Sequence, residues 1–142
     1  MANSPFTIGR STSIIFLWNG KRVDLPTVTS FESHQIVSGD TVSPLNAKPI
    51  TFNIPNGWGG SFTVVRDDVS LDNLIDTSSK AFWSAGTITN GTLYQFIIEV
   101  DGTKTTFEYT GVSITLSSAG SFQNSSAVYQ TVTFVASDRI KQ

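Results

Sequence analysis

Cysteine is absent from this 142-residue sequence, which excludes disulfide bonds and thiolate metal sites. Charge is scarce as well. Only 14% of residues are charged, and 9 basic against 11 acidic residues give a net charge of −2, so no polycationic surface for nucleic acid is on offer. No apolar run is long enough to span a bilayer, and no charged-then-apolar leader opens the chain, so the sequence reads as a soluble protein without a secretory signal. On that reading the glycosylation patterns at Asn90-Gly91-Thr92 and Asn124-Ser125-Ser126 carry no weight. Ser and Thr fill the surface positions that Lys and Glu usually take.

The shortage of charge is uneven. From Tyr109 to Ser137 there is no charged residue, and between Thr41 and Val65 the one charge is Lys48. Monomeric β proteins guard edge strands with charges, prolines or bulges. Unguarded strands in a functional protein point to a partner edge, and hence to obligate assembly.

Catalytic groups are equally sparse. His34 is the one histidine, and nothing near it reads as a nucleophile elbow or an orienting acid. It reads as an ordinary, partly exposed histidine on a polar strand with Glu32. Asp67, Asp68, Asp72 and Asp76 lack the alternating spacing that wraps calcium, and complementing a helix dipole explains them more simply. Gly57–Gly60, GWGG, lacks the Lys-Ser/Thr of a phosphate loop. Its glycines fit a sharp turn and close backbone approach, with Trp58 as a core or contact anchor. The sequence predicts no enzyme, no cofactor and no metal site.

What the chain does have is alternation. Residues 13–25, SIIFLW-NG-KRVDL, read as a hairpin around Asn19-Gly20, setting Phe16 opposite Val23, Ile14 opposite Leu25 and Ile15 opposite Asp24. Residues 27–38 read as a strand and 38–47 as a loop containing Gly39, Asp40, Pro44 and Asn46. Residues 48–54 put Ile50, Phe52 and Ile54 on one side before Pro55 and a turn at Asn56-Gly57. The stretch 57–86 holds the one convincing helix, about residues 70–85, with Ser70 as N-cap and Gly86 as stop. Leu71, Leu74, Ile75 and Phe82 form its core stripe. Beyond it, TLYQFIIEV-DG-TKTTFEYT predicts a second hairpin with a two-residue turn at Asp101-Gly102. That register pairs Glu99 with Lys104, Phe96 with Phe107 and Tyr94 with Tyr109. Strands at 112–116 and 128–135 complete about eight. The expected fold is mainly β, an antiparallel β-sandwich or barrel-like domain with one flanking α-helix. It forms one domain over residues 1–142, with residues 1–12 as an N-terminal arm.

The order of these elements resembles the tail tube proteins of bacteriophages, in particular the small ones of contractile tails. The N-terminal hairpin, then VTSFES, then GWGGSFTVVRDDVSLDNLI leading into the helix, then the aromatic hairpin carry the resemblance. It implies a homo-hexameric ring, with rings stacked into a tube whose inner wall is a continuous β-barrel and through which double-stranded DNA passes without specific binding. Implied partners are a tape-measure protein, sheath, baseplate hub and tail terminator. The implied location is the virion tail, after assembly in the host cytoplasm, with no membrane insertion of the subunit. The loop residues Gly39, Asp40, Pro44 and Asn46 are then expected to reach the adjacent ring. The hairpin face with Gln95, Glu99, Thr106 and Glu108 is the expected channel lining, because the Tyr94–Phe96–Ile98 face must be covered. Two other classes fit the same pattern: the inner tube of a bacterial injection machine, type VI secretion included, and a ligand-binding carbohydrate or fibre module using Trp58 or Trp83 as a platform.

Overall fold

Period-two alternation of apolar and hydroxyl side chains builds strands; the computed structural model describes residues 12–18, 21–24, 28–67, 69–88 and 90–142. The elements in chain order are β1 (Thr12–Trp18), β2 (Lys21–Asp24), β3 (Val28–Val42), β4 (Ile50–Val65), α1 (Ser70–Ala85), β5 (Gly91–Ile98), β6 (Lys104–Ser118), β7 (Tyr129–Ala136) and β8 (Asp138–Lys141). All pairings are antiparallel, in the order β2-β1-β5-β6-β7-β4-β3, with β8 also on β6. Among the described residues this is the expected mainly-β architecture with one helix, and the array is not closed into a barrel.

The array folds into two layers because β6 belongs to both. Its first half pairs with β5 and β8, and its second half pairs with β7. The change comes at a bulge where Gly111 adopts φ +62°, a left-handed conformation that costs a residue with a Cβ and that bends a strand. A Cβ there would also lie 2.5 Å from Ser137 Oγ, across the break between β7 and β8. One layer is therefore β2-β1-β5-β6-β8 and the other is β6-β7-β4-β3.

The layers meet through aromatic rings. Tyr109, fully buried, packs edge-on against Phe134 at 5.6 Å and Phe31 at 6.3 Å, while Phe62 and Phe134 extend the same cluster. Its hydroxyl lies 3.0 Å from Ser33 Oγ and donates to Gln95 Oε1 at 3.2 Å, so the one polar atom of a buried ring is satisfied across the layers. Phe16, Leu93, Val64, Val112 and Val132 fill the remaining core. Each such side chain contributes roughly 1.5–3 kcal/mol by leaving water.

The first hairpin has the expected register, Phe16 opposite Val23 and Ile15 opposite Asp24. Its turn at 19–20, Leu25, the arm residues 1–11 and Asp68 lie outside the described residues; Thr12 already opens β1. The second hairpin differs from expectation. Ile98 faces Lys104, Phe96 faces Thr106, Gln95 faces Phe107 and Tyr94 faces Glu108. The cause is the loop. Gly102 N–H donates to the Glu99 carbonyl and Glu99 N–H to the Thr103 carbonyl, while Gly102 sits at φ +90°. That is a three-residue loop ending in a left-handed glycine, one residue longer than the Asp101-Gly102 turn. A slip of one residue moves facing side chains to opposite faces. Lys104 consequently lies over the Phe96 ring at 4.5 Å, and Glu99 accepts from the Thr105 hydroxyl.

Two further expectations are corrected. Val69, not Ser70, occupies the N-cap position of α1, and it has no side-chain hydrogen bond to offer. At the other end Gly86 is left-handed as expected, with its amide donating to the Phe82 carbonyl. Asn56-Gly57 does not turn the chain: β4 runs straight through Pro55 and absorbs the pair as a bulge opposite β3.

Candidate assembly interface

A hairpin of two long strands sets the exposed features. β3 and β4 pair over almost their whole length, but β7 supports β4 only from Trp58 to Val65. Residues 50–55 of β4 and 37–42 of β3 therefore project beyond the layer as a two-stranded ribbon. Gly39 and Asp40 are strand residues facing Asn53 and Phe52, so the loop is 43–49, shorter than the expected 38–47. Pro44 and Asn46 remain in it. Gly39 and Asp40, read as loop formers, are held by facing partners that sequence alone does not show.

Register gives the ribbon two unlike faces. Val42 with Ile50, Asp40 with Phe52 and Ser38 with Ile54 share one face; Thr41 with Thr51 and Gly39 with Asn53 share the other. Val42, Ile50, Phe52 and Ile54 are all exposed, as is Leu45 in the loop. A lone two-stranded ribbon is marginal in water, and this one leaves its apolar face open.

Edges differ between the layers. The β2-β1-β5-β6-β8 layer ends in four-residue strands rich in charge, Lys21-Arg22-Val23-Asp24 and Asp138-Arg139-Ile140-Lys141. Arg139 seals its end further, its guanidinium lying 3.8 Å from the Trp58 ring and 4.0 Å from the Phe107 ring. Short charged strands discourage further pairing. The β6-β7-β4-β3 layer ends in β3 and in residues 113–118 of β6. Among the described residues no strand pairs with either outer edge. The stretch 128–135 is different: β7 lies between β6 and β4, so it is not an edge. The charges flanking β2 and β8 were the signal in the sequence for this asymmetry.

The residues expected to line a channel do not form one surface. Thr106 and Glu108 lie on the face of Tyr94 and Phe96, while Gln95 lies on the opposite face and reaches the buried Tyr109 hydroxyl. Glu99 belongs to the loop end. Glu108 accepts from Gln142 Nε2 at 2.7 Å and from the Tyr94 hydroxyl at 3.4 Å. Partial burial, and then the Glu108 charge, raise the Tyr94 phenol above its ordinary value.

Of the helix stripe, Leu71 and Leu74 are buried and Ile75 packs against the core. Phe82 does not join them. It is 47% exposed and meets Trp83, itself 82% exposed, edge-on at 5.2 Å. The stripe fails there because the layers support only the first half of α1. That half is tied down by Asp72, whose carboxylate takes Arg66 at 3.0 Å and the buried Gln130 amide at 2.9 Å, while Gln130 also donates to the Ala119 carbonyl. Asp72 thus links α1 to β7 as well as sitting in the first helical turn. Asp67 and Asp76 are exposed, and among the described residues no three metal-ligating side chains gather. Trp58 is covered by Arg139 and Tyr109, which leaves Trp83 as the open indole of the two.

No family model matches the chain, and no curated protein matches it in sequence. Solved structures do match in fold. A chain of the extracellular contractile injection system PVC, from its sheath/tube terminator in the extended state, aligns over 100% of this chain and 99% of its own length with a TM-score of 0.64 at 11% identity. A chain of the anti-feeding prophage baseplate aligns over 100% and 97% with a TM-score of 0.61 at 9% identity. One from the PVC sheath–tube complex in the extended state aligns over 97% and 93% with a TM-score of 0.55 at 14% identity. The chain therefore has the tail-tube-type fold found in the tube-terminator, sheath–tube and baseplate assemblies of contractile injection systems.

Proposed function

We propose that this chain is a non-enzymatic structural subunit of a tail tube. Six copies close into a ring, and rings stack into a channel that conducts double-stranded DNA. The observation that carries the reading is the pair of edges with no pairing strand among the described residues at the two ends of one layer, β3 and the charge-free residues 113–118 of β6. Pairing the β3 edge of one copy with the β6 edge of the next extends that layer from subunit to subunit, and ring closure leaves no edge open. The β3–β4 ribbon and its loop 43–49 then contact the adjacent ring, where the apolar stripe Val42, Ile50, Phe52 and Ile54 finds cover. Head-to-tail stacking of that kind is heterologous and continues into a filament. Sheath, tape-measure protein, baseplate hub and terminator are the partners such a tube meets, in a virion tail or an injection machine assembled in a host cytoplasm.

A component of the tube's end is the second reading. The terminator and baseplate matches favour it, since both score above the sheath–tube match. Light scattering with negative-stain microscopy on the purified protein separates the cases. Long tubes support the repeating subunit, and isolated rings support the end component. A stable monomer at high concentration overturns both and leaves a ligand-binding module with Trp83 as its platform.

A further inference from the structure

The β6-β7-β4-β3 layer has one face on the core and one face away from it, and the outward face has an unusual chemistry. Register aligns Thr115, Thr133 and Ser61 in one row across β6, β7 and β4, and Thr131 with Thr63 in the next. The Ser117 and Thr133 hydroxyls are in hydrogen-bond contact within it. Glu32 continues the first row on β3 and accepts from the Ser61 hydroxyl at 3.2 Å, and His34 lies two residues along. Val135 and Tyr129, both half exposed, share this face. Among the described residues Glu32 is the one Asp, Glu, Lys or Arg side chain within its four-stranded part, Asp40 on the same side of β3 lying out in the projecting ribbon.

We infer that this hydroxyl face, and not the β5–β6 hairpin, is the lining of the channel. The inference rests on the ring reading. The layer with two open edges is the one that ring closure can make continuous, and six copies of a four-stranded layer give about two dozen strands, enough to surround an open lumen. A closed sheet has an inside and an outside. The core face of this layer is covered by its own subunit's second layer, about 10 Å away, with Tyr109 packed on Phe31 and Phe134. That second layer ends in the charged strands β2 and β8 and would block the lumen if turned inward, so it lies outside. The Thr/Ser face then lines the channel, and Thr106 and Glu108 lie on its exterior.

This wall has a functional consequence. Hydroxyls hold water by donating and accepting, yet bring no counterions to release, so a polyanion slides past without the salt-dependent grip that Lys or Arg would give. Glu32, once per subunit, adds a weak ring of repulsion. It is the residue that sets the channel's selectivity between anionic and cationic cargo.

The absence of cysteine makes the test direct, since each introduced thiol is unique. Thr133→Cys and Thr106→Cys are labelled separately with a monomaleimide gold cluster, and the assembled rings or tubes are imaged. Gold on the axis for Thr133→Cys and at the periphery for Thr106→Cys is the expected result. Gold at the periphery for Thr133→Cys overturns the inference while leaving the ring intact. Unassembled protein overturns the ring reading, and the inference with it. As a second measurement, Glu32→Lys assemblies should retain a short fluorescent DNA duplex about tenfold more at low salt, with the gain lost at high salt. Glu108→Lys assemblies should match the wild type. Equal retention by both variants, or a gain confined to Glu108→Lys, counts against the assignment.

Discussion

Phe82 shows how a residue's neighbours decide its worth. It falls on the apolar stripe of α1, yet it is half exposed and touches Trp83. A buried phenylalanine loses about 3–5 kcal/mol on truncation to alanine, whereas exposed substitutions stay within about 0.5 kcal/mol. Phe82→Ala should therefore leave the unfolding midpoint of the free subunit nearly unchanged. Leu74→Ala, in the buried half of the same helix, should cost about 2–5 kcal/mol. Chemical denaturation of the two variants side by side reads the difference, and equal losses would place the second half of the helix on the core. A second residue-scale expectation concerns pH. The Thr103 hydroxyl donates to Asp101 Oδ1 at 2.6 Å and its amide at 3.0 Å, which hold the Asp101 carboxyl below the ordinary range. A depressed folded-state value means that the contact favours the loop above the ordinary carboxylate range and is lost as pH falls through the lowered value. Carbon NMR titration should find Asp101 titrating low, and Thr103→Val should move it back up.

At the scale of elements, the β3–β4 ribbon is where local structure and assembly separate. Its outer pairs, from Val42 opposite Ile50 to Val37 opposite Pro55, lie beyond the last residue supported by β7. Phe52→Ser combined with Ile54→Ser should leave circular dichroism and the unfolding midpoint of the subunit close to wild type, because neither side chain reaches the core. Tube length in negative stain should fall sharply. Tubes of ordinary length from this variant would mean that the ribbon's apolar face has no partner in the assembly. The hairpin β5–β6 carries the other lesson of this scale. One extra residue in its loop separates Gln95 from Thr106 and Glu108, and no inspection of the paired strands themselves reveals that slip. Gly102 can end a two-residue or a three-residue loop with the same left-handed backbone.

For the whole molecule, the uneven distribution of charge bears on what would hold copies together in the proposed tube. The open edges and the ribbon contain little charge, so backbone hydrogen bonds and apolar burial dominate any contact between them. Such contacts strengthen in excluded salts such as sulfate and are little screened by sodium chloride. Light scattering across a sodium chloride series should show assembly nearly unaffected, and sulfate should promote it. Dissolution at moderate sodium chloride would show that Lys48, Asp40 and their like carry the interface.

Much of this was already determined by the sequence alone. Alternation marks nearly every strand, the helix boundaries at 70 and 85 follow from its apolar spacing and from Gly86, and the first hairpin's register follows from where its apolar residues fall. These are local properties, fixed by φ and ψ preferences and by which side chains avoid water within a dozen residues. Only the tertiary structure decided which strands became edges, that β7 is interior despite its lack of charge, that β6 crosses between layers at Gly111, and that Phe82 finds no cover. Those outcomes depend on partners dozens of residues away. Gly39 pairs with Asn53, Thr115 with Thr133, and Tyr109 meets Ser33, and the free energy that selects each pairing belongs to both strands at once.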